Sequence, residues 1–153
     1  MKRVYVQEQW CLACHLCEFA CAFANSGQEQ PGDGALAMSR ALQGRAAAIN
    51  PRIKIEEKDN ISFAVSCRHC EDPICRKSCI AGAISIVDGV VHIDQEKCVG
   101  CQTCVLVCPY GAVMPANDGH VMQKCELCTS RANGGTPACV AACPNRAIVF
   151  EER

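Results

Sequence analysis

A chain of 153 residues has room for one ordinary domain or two very small ones. Only 5% of its residues are aromatic and 20% are charged, which excludes a large conventional core and requires small units to be stapled by something else. The formal net charge of −1, with no basic stripe, argues against nucleic-acid binding.

Residues 2–6 alternate weakly and predict a short strand. Met1–Glu8 has no apolar core of a signal peptide, and no apolar run approaches the roughly 18 residues of a membrane span. The expectation is a soluble, cytoplasmic chain with reduced thiols that bind metal and no membrane partner. Carriage on a partner's twin-arginine signal stays open. A first cysteine run, Cys11, Cys14, Cys17 and Cys21, leads into a helix over 18–24 that Asn25-Ser26-Gly27 ends. Residues 28–34 form a polar linker. A helix from about Ala35 to Ile49 follows, capped near Asp33 and stopped before Pro51. Its apolar positions Met38, Leu42, Ala46 and Ile49 share one face, which either packs on the same molecule or docks a partner or second copy.

Residues 52–57 and 61–65 alternate around a turn at 58–60, a hairpin feeding the second run, Cys67, Cys70, Cys75 and Cys79. A second hairpin joins 83–87 to 90–93 through Asp88-Gly89, a pair suited to a type I′ turn. The third run is Cys98, Cys101, Cys104 and Cys108. A turn at Asp118-Gly119 precedes 120–123, and the fourth run is Cys125, Cys128, Cys139 and Cys143.

Sixteen cysteines exceed the level that marks a cross-linked scaffold, and they divide into four complete four-thiolate sites. In the run Cys98-Val-Gly-Cys101-Gln-Thr-Cys104, one loop can wrap three corners of a compact inorganic cube. Cys108, just before Pro109, points away from that loop. This is the bacterial ferredoxin run, whose last cysteine ligates the partner cluster. Disulfides are disfavoured by compartment, and zinc ribbons use pairs of pairs rather than triads with a fourth ligand before proline. A radical enzyme using S-adenosylmethionine would need a Cys-x3-Cys-x2-Cys run, which is absent. The count predicts four [4Fe–4S] clusters. With every iron ligated by cysteine, no site is open to substrate, so catalytic residues are not expected. Each oxidised cluster adds about −2, taking the charge to about −9.

Cys79-Ile-Ala-Gly-Ala-Ile, Cys108-Pro-Tyr-Gly-Ala-Val and Cys143-Pro-Asn-Arg-Ala-Ile are one repeated pattern, a last cysteine turning into a short strand. Residues 7–11 likewise echo 94–98.

The four runs in this order, with an expanded second run and ten residues between Cys128 and Cys139, resemble the four-cluster iron–sulfur subunits of the DMSO reductase/formate dehydrogenase/nitrate reductase class. The opening Trp10-Cys11-Leu12-Ala13-Cys14-His15-Leu16-Cys17-Glu18 and the short length resemble more closely the soluble subunits that accompany tungsten aldehyde oxidoreductases and carbon monoxide dehydrogenases. The resemblance implies an α+β fold of two ferredoxin-like dicluster units related by pseudo-twofold symmetry, with a helical insertion and short β-hairpins. The outer unit is 1–27 plus 120–153, the linker and insertion 28–50, and the inner unit 51–119.

Carried over from that class, Cys11, Cys14, Cys17 and Cys143 hold one cluster, and Cys125, Cys128, Cys139 and Cys21 another. Cys67, Cys70, Cys75 and Cys108 hold a third, and Cys98, Cys101, Cys104 and Cys79 the fourth. The implied function is an electron-transfer subunit serving a tungsten-pterin aldehyde oxidoreductase or carbon monoxide dehydrogenase, with formate dehydrogenase or hydrogenase behind. A flavin/NAD oxidoreductase subunit or a ferredoxin stands at the other end, and self-association is open. The alternatives are a free-standing polyferredoxin and a zinc-stapled interaction module.

Cys21 and Cys79 precede Ala22 and Ile80 rather than proline, which leaves an extra N–H to raise the potential of nearby clusters. His15 and His69, inside cluster loops, either donate to a sulfur or are ordinary loop residues, while His92 is a sheet position. Arg68, Lys97 and Lys124 adjoin ligands and either offset cluster charge or are solvated. Trp10 is read as shielding a cluster from water.

Overall fold

A computed structural model describes residues 1–25, 50–59, 61–116, 118–129 and 135–152. The linker and the helix expected over 35–49 lie outside these residues.

Among the described residues the strands form four two-stranded antiparallel ladders. The strand expected near the start, β1 (Arg3–Val6), pairs with β8 (Ile148–Glu151), Val6 opposite Ile148, so the first and last strands lie side by side. β2 (Ile53–Lys58) and β3 (Ile61–Ser66) form the first expected hairpin, with Lys58 opposite Ile61. β4 (Ile84–Val87) and β5 (Val90–Ile93) meet at Val87 and Val90, with φ +51° at Asp88 and +77° at Gly89. Positive φ at both central residues is what a type I′ turn demands. β6 (Val113–Pro115) and β7 (Met122–Lys124) close a wider loop than a tight hairpin. There the Ala116 N–H donates to the Val121 carbonyl, and the Asp118 carboxylate accepts from the His120 and Val121 N–H groups.

The α-helices among the described residues are short: α1 (Leu16–Ala24), α2 (Ile74–Lys77), α3 (Thr103–Val107) and α4 (Ala138–Ala142). Helix α1 starts earlier than residue 18 because His15, at φ +57°, turns the cluster loop directly into it. Asn25 ends it as expected, its amide donating 2.7 Å to the Cys21 carbonyl. Each helix carries at least one cysteine inward: Cys17 and Cys21, Cys75, Cys104, and Cys139.

Two small cores result. The first gathers Val4, Ile53, Ala64, Val90, Leu127 and Ile148 with Cys17, Cys21 and Cys139, and Cys125 and Cys143 pack against it. The second gathers Ile84, Val91, Ile93, Val113 and Met122 with Cys104, against which Cys75, Cys79, Cys98 and Cys108 pack. The hairpin β2–β3, expected with the inner unit, buries Ile53 and Ala64 in the first core. Each buried aliphatic side chain contributes about 1.5–3 kcal/mol, and cores of this size need a covalent or metal staple.

Candidate metal centres

The four cysteine loops share one backbone solution. The residue two positions after the first cysteine has positive φ in every run: Ala13 at +50°, His69 at +46°, Gly100 at +68° and Leu127 at +55°. Reversing the backbone at that point aims main-chain N–H groups at the preceding sulfur. The His69 N–H lies 3.5 Å from Cys67 Sγ and the Leu127 N–H 3.4 Å from Cys125 Sγ. The last cysteines share a second device. Gly82, Gly111 and Arg146, each three residues on, have positive φ and donate to the carbonyls of Cys79, Cys108 and Cys143. One residue further, the Ala83 and Ala147 N–H groups donate to Cys79 Sγ at 3.3 Å and Cys143 Sγ at 3.2 Å. These contacts give a physical reason for the repeated turn, and the alanine that follows it is buried in all three repeats, Ala83, Ala112 and Ala147.

The donors therefore come from turn positions, not from the extra N–H groups of Ala22 and Ile80. Cys21 Sγ accepts from the Arg52 N–H at 3.2 Å and the Asn25 amide at 3.6 Å. Cys98 Sγ accepts from the Met122 N–H at 3.5 Å, and Thr103 Oγ1 lies 3.4 Å from Cys101 Sγ.

Cysteines from different runs line two cavities. Cys79, Cys98, Cys101 and Cys104 line one cavity with about 330 Å³ of empty space, part of it open to solvent. Cys67, Cys70, Cys75 and Cys108 line a second of about 360 Å³. In the first core the charges of Cys125, Cys21, Cys128 and Cys17 all bear on Cys139. Cys11, Cys14 and Cys143 fall at the chain's two ends, which the β1–β8 ladder joins. There the Asn145 amide also donates 2.7 Å to the Trp10 carbonyl.

Burial pushes the Cys17 and Cys125 thiols up to about 12 and Cys104 up to about 11, and raises Cys21, Cys75 and Cys139 as well. A thiolate in so apolar a place is costly unless a cation takes its charge. Among the described residues no three His, Cys, Asp or Glu side chains converge as a single ion requires. A [4Fe–4S] cube instead takes one thiolate at each of its four iron corners, around its own volume. Four cysteines around an apolar void, with N–H groups aimed at their sulfurs, fit that group.

The other polar residues separate sharply. His15 shares its Nδ1 with Glu18 at 2.8 Å and its Nε2 with Glu57 at 3.4 Å, not with a sulfur. His92 sits opposite Ser85 in the β4–β5 ladder. Lys97 is exposed and paired with Asp94 at 2.9 Å, and Arg68 stacks over the Tyr110 ring at 5.7 Å. Trp10 is 51% exposed, so it covers little. Sequence reasoning left two residues ambiguous that the fold buries completely, His69 and Lys124, each 0% exposed. The Arg52–Glu126 bridge at 2.7 Å, which ties the residue just before β2 to the fourth run, has no signal in the sequence.

Residues 59–153 match the 4Fe-4S dicluster domain family. The chain belongs to that family. It is 40% identical to the electron transport protein HydN of Escherichia coli (strain K12), over 94% of the chain and 83% of HydN. To an iron–sulfur protein of Rhodospirillum rubrum it is 38% identical, over 95% of the chain and 79% of the relative. To YnfG of E. coli (strain K12), named as an anaerobic dimethyl sulfoxide reductase chain, it is 35% identical over 95% of the chain and 71% of that protein. It also spans 21% and 19% of two longer E. coli proteins named as oxidoreductases. The chain is thus a dicluster-domain iron–sulfur electron-transfer protein that binds [4Fe–4S] clusters, and the relatives' names agree with the expectation of an electron-transfer subunit. No helix among the described residues is long and apolar enough to cross a membrane.

Proposed function

We propose that this protein carries four [4Fe–4S] clusters in line and relays single electrons between a catalytic oxidoreductase subunit and a second redox protein. The observation that carries this is the sorting of cysteines between the two cores. Runs one and four meet in the first, and runs two and three in the second. The ligand sets are then Cys11/Cys14/Cys17/Cys143, Cys21/Cys125/Cys128/Cys139, Cys67/Cys70/Cys75/Cys108 and Cys79/Cys98/Cys101/Cys104, each completed by a cysteine from the other run of its unit. Two dicluster units related by pseudo-twofold symmetry follow from this exchange.

Electrostatic contacts between cysteines order the sets. Besides burial, the Cys17 charge bears on Cys139, Cys67 on Cys125, and Cys75 on Cys104. The line therefore runs from the Cys11 set through the Cys125 set and the Cys67 set to the Cys98 set. Its two end sets contain Cys14 and Cys101, the two exposed cysteines, which occupy corresponding loop positions. Those ends are where partners exchange electrons.

When bound, the clusters supply outer-sphere one-electron transfer. The protein's own residues do the rest. The positive-φ loops hold the sulfurs at fixed corners, the N–H donors stabilise the more negative reduced state, and the aliphatic cores keep water from the inner sets. A tungsten-pterin aldehyde oxidoreductase is the first partner we propose and carbon monoxide dehydrogenase the next, with a flavin/NAD subunit or ferredoxin opposite and a cytoplasmic setting. The opening run supports that choice of partner, and relatives named for electron transport and for a reductase chain support a redox partner in general.

Anaerobic iron and acid-labile sulfide quantification, with EPR after dithionite reduction, tests the reading. Sixteen irons per chain and a spin-coupled spectrum are expected. Zinc in place of iron, or half the iron, would sink it. Isolating the large subunit that co-purifies then names the partner.

A further inference from the structure

Among the described residues Lys124 is a buried cation with no carboxylate paired to it. It is fully enclosed, and its ammonium donates to the Val91 carbonyl and to the Cys125 carbonyl at 2.8 Å. Among the described residues it joins no ion pair. An enclosed ammonium facing only carbonyls is costly unless negative charge lies close by.

What surrounds it supplies that charge. On one side Lys124 leads directly into Cys125, whose sulfur takes the Leu127 N–H. On the other, the Val91 residue that accepts from Lys124 donates its own N–H to His69 Nδ1 at 3.1 Å. The His69 main-chain N–H then donates to Cys67 Sγ. One continuous run of bonds and hydrogen bonds thus joins the sulfurs of the two inner ligand sets, and Lys124 stands at its middle. With Nδ1 an acceptor, His69 carries its proton on Nε2, which is buried without a protein partner. An accepting Nδ1 leaves the imidazole neutral, so it adds no second cation.

We propose that Lys124 is a positioning residue for electron relay, its ammonium set between the two inner clusters so that both are raised in potential together and remain matched. This rests on the four-cluster reading above. The transfer it serves moves one electron, oxidising one inner cluster and reducing the other, with no bond or proton exchanged. A positive charge favours the reduced, more negative state of each neighbour. The Lys124 ammonium meets the Cys125 carbonyl on one side and, through Val91 and His69, the loop of Cys67 on the other, and those two cysteines belong to different sets. Lysine is almost never fully buried without such a partner.

The test is an EPR-monitored anaerobic redox titration of the full iron-loaded chain as wild type, Lys124→Gln and Lys124→Arg. Gln keeps a donor and removes the charge, and Arg keeps the charge. In Lys124→Gln two of the four potentials should fall, each by about tenfold or more in the reduction equilibrium, where tenfold is about 59 mV for one electron. Arg should hold both within about threefold of wild type. Unchanged potentials in Lys124→Gln would overturn the proposal, as would an equal fall of all four. If Gln does not retain iron, Lys124→Met takes its place. Iron lost from both uncharged variants would assign Lys124 to assembly rather than to potential, and would equally overturn it. A wild-type protein with fewer than sixteen irons would instead overturn the four-cluster reading.

Discussion

Gly100→Ala should damage one cluster site far more than the same change at two other glycines of the same backbone class. Gly100, Gly82 and Gly111 have φ of +68°, +61° and +59°. Alanine at any of them costs about 1 kcal/mol in conformational strain. The surroundings then decide the outcome. A β-carbon at Gly82 or Gly111 meets nothing within 4 Å, whereas at Gly100 it strikes the His120 carbonyl oxygen, a backbone atom that cannot rotate away. Relieving such a clash costs about 1–3 kcal/mol. The displaced segment includes Met122, whose N–H serves Cys98 Sγ, and losing a bond to a thiolate adds about 1.5 kcal/mol or more. The excess over the controls is therefore about 3 kcal/mol, roughly a hundredfold in cluster retention. The assay is the guanidinium concentration at which each anaerobic variant releases iron to a chelator, with EPR to show which signal goes first. Gly100→Ala should shed the Cys98-set signal first. If it retains iron as well as Gly82→Ala, close approach is not why glycine stands at this position.

Thr103→Val should lower the potential of the Cys98-set cluster alone, since the hydroxyl beside Cys101 Sγ is its only change; a donor worth about 0.5–1 kcal/mol gives about 20–40 mV by redox titration. Arg52→Met should remove the partly buried bridge to Glu126 and cost about 1–2 kcal/mol, seen as earlier loss of the Cys125-set signal on denaturation, with the main-chain Arg52 N–H bond to Cys21 kept. Burial keeps Cys17, Cys104 and Cys125 as thiols in the iron-free chain at neutral pH, and ligation requires thiolates. Loading should therefore release protons, strengthen as pH rises and reverse on acidification, measurable as proton release in weak buffer; loading that ignores pH would count against buried thiol ligands.

How much of this was legible in advance follows from what each residue type reveals. Cysteine spacing is set by the geometry of the cube, so the four runs were readable. The Asp88-Gly89 turn was readable because few residues tolerate two successive positive φ values. The loop reversals were not, because Ala13, His69 and Leu127 carry side chains where only Gly100 is glycine, and no composition signal marks them. Nor could a pattern show that the Ala83 and Ala147 N–H groups serve sulfurs. Lys124 stayed between two readings, offsetting cluster charge or standing solvated. Lysine beside a ligand usually means a solvated charge, and only the packing of β5 against β7 encloses it. The hairpin β2–β3 was predicted as an element, but its packing partner depends on Ile53 and Ala64 meeting Val4 and Ile148 from both chain ends.

The most direct test of the account is a pair of ligand substitutions, Cys108→Ser and Cys79→Ser, read by iron content and EPR. Each last cysteine is predicted to serve the other run. Cys108→Ser should therefore remove the signal that Cys75→Ser removes, and Cys79→Ser the signal that Cys98→Ser removes. If Cys108→Ser instead tracks with Cys98→Ser, the runs hold their clusters independently, and the crossed, four-cluster line is wrong.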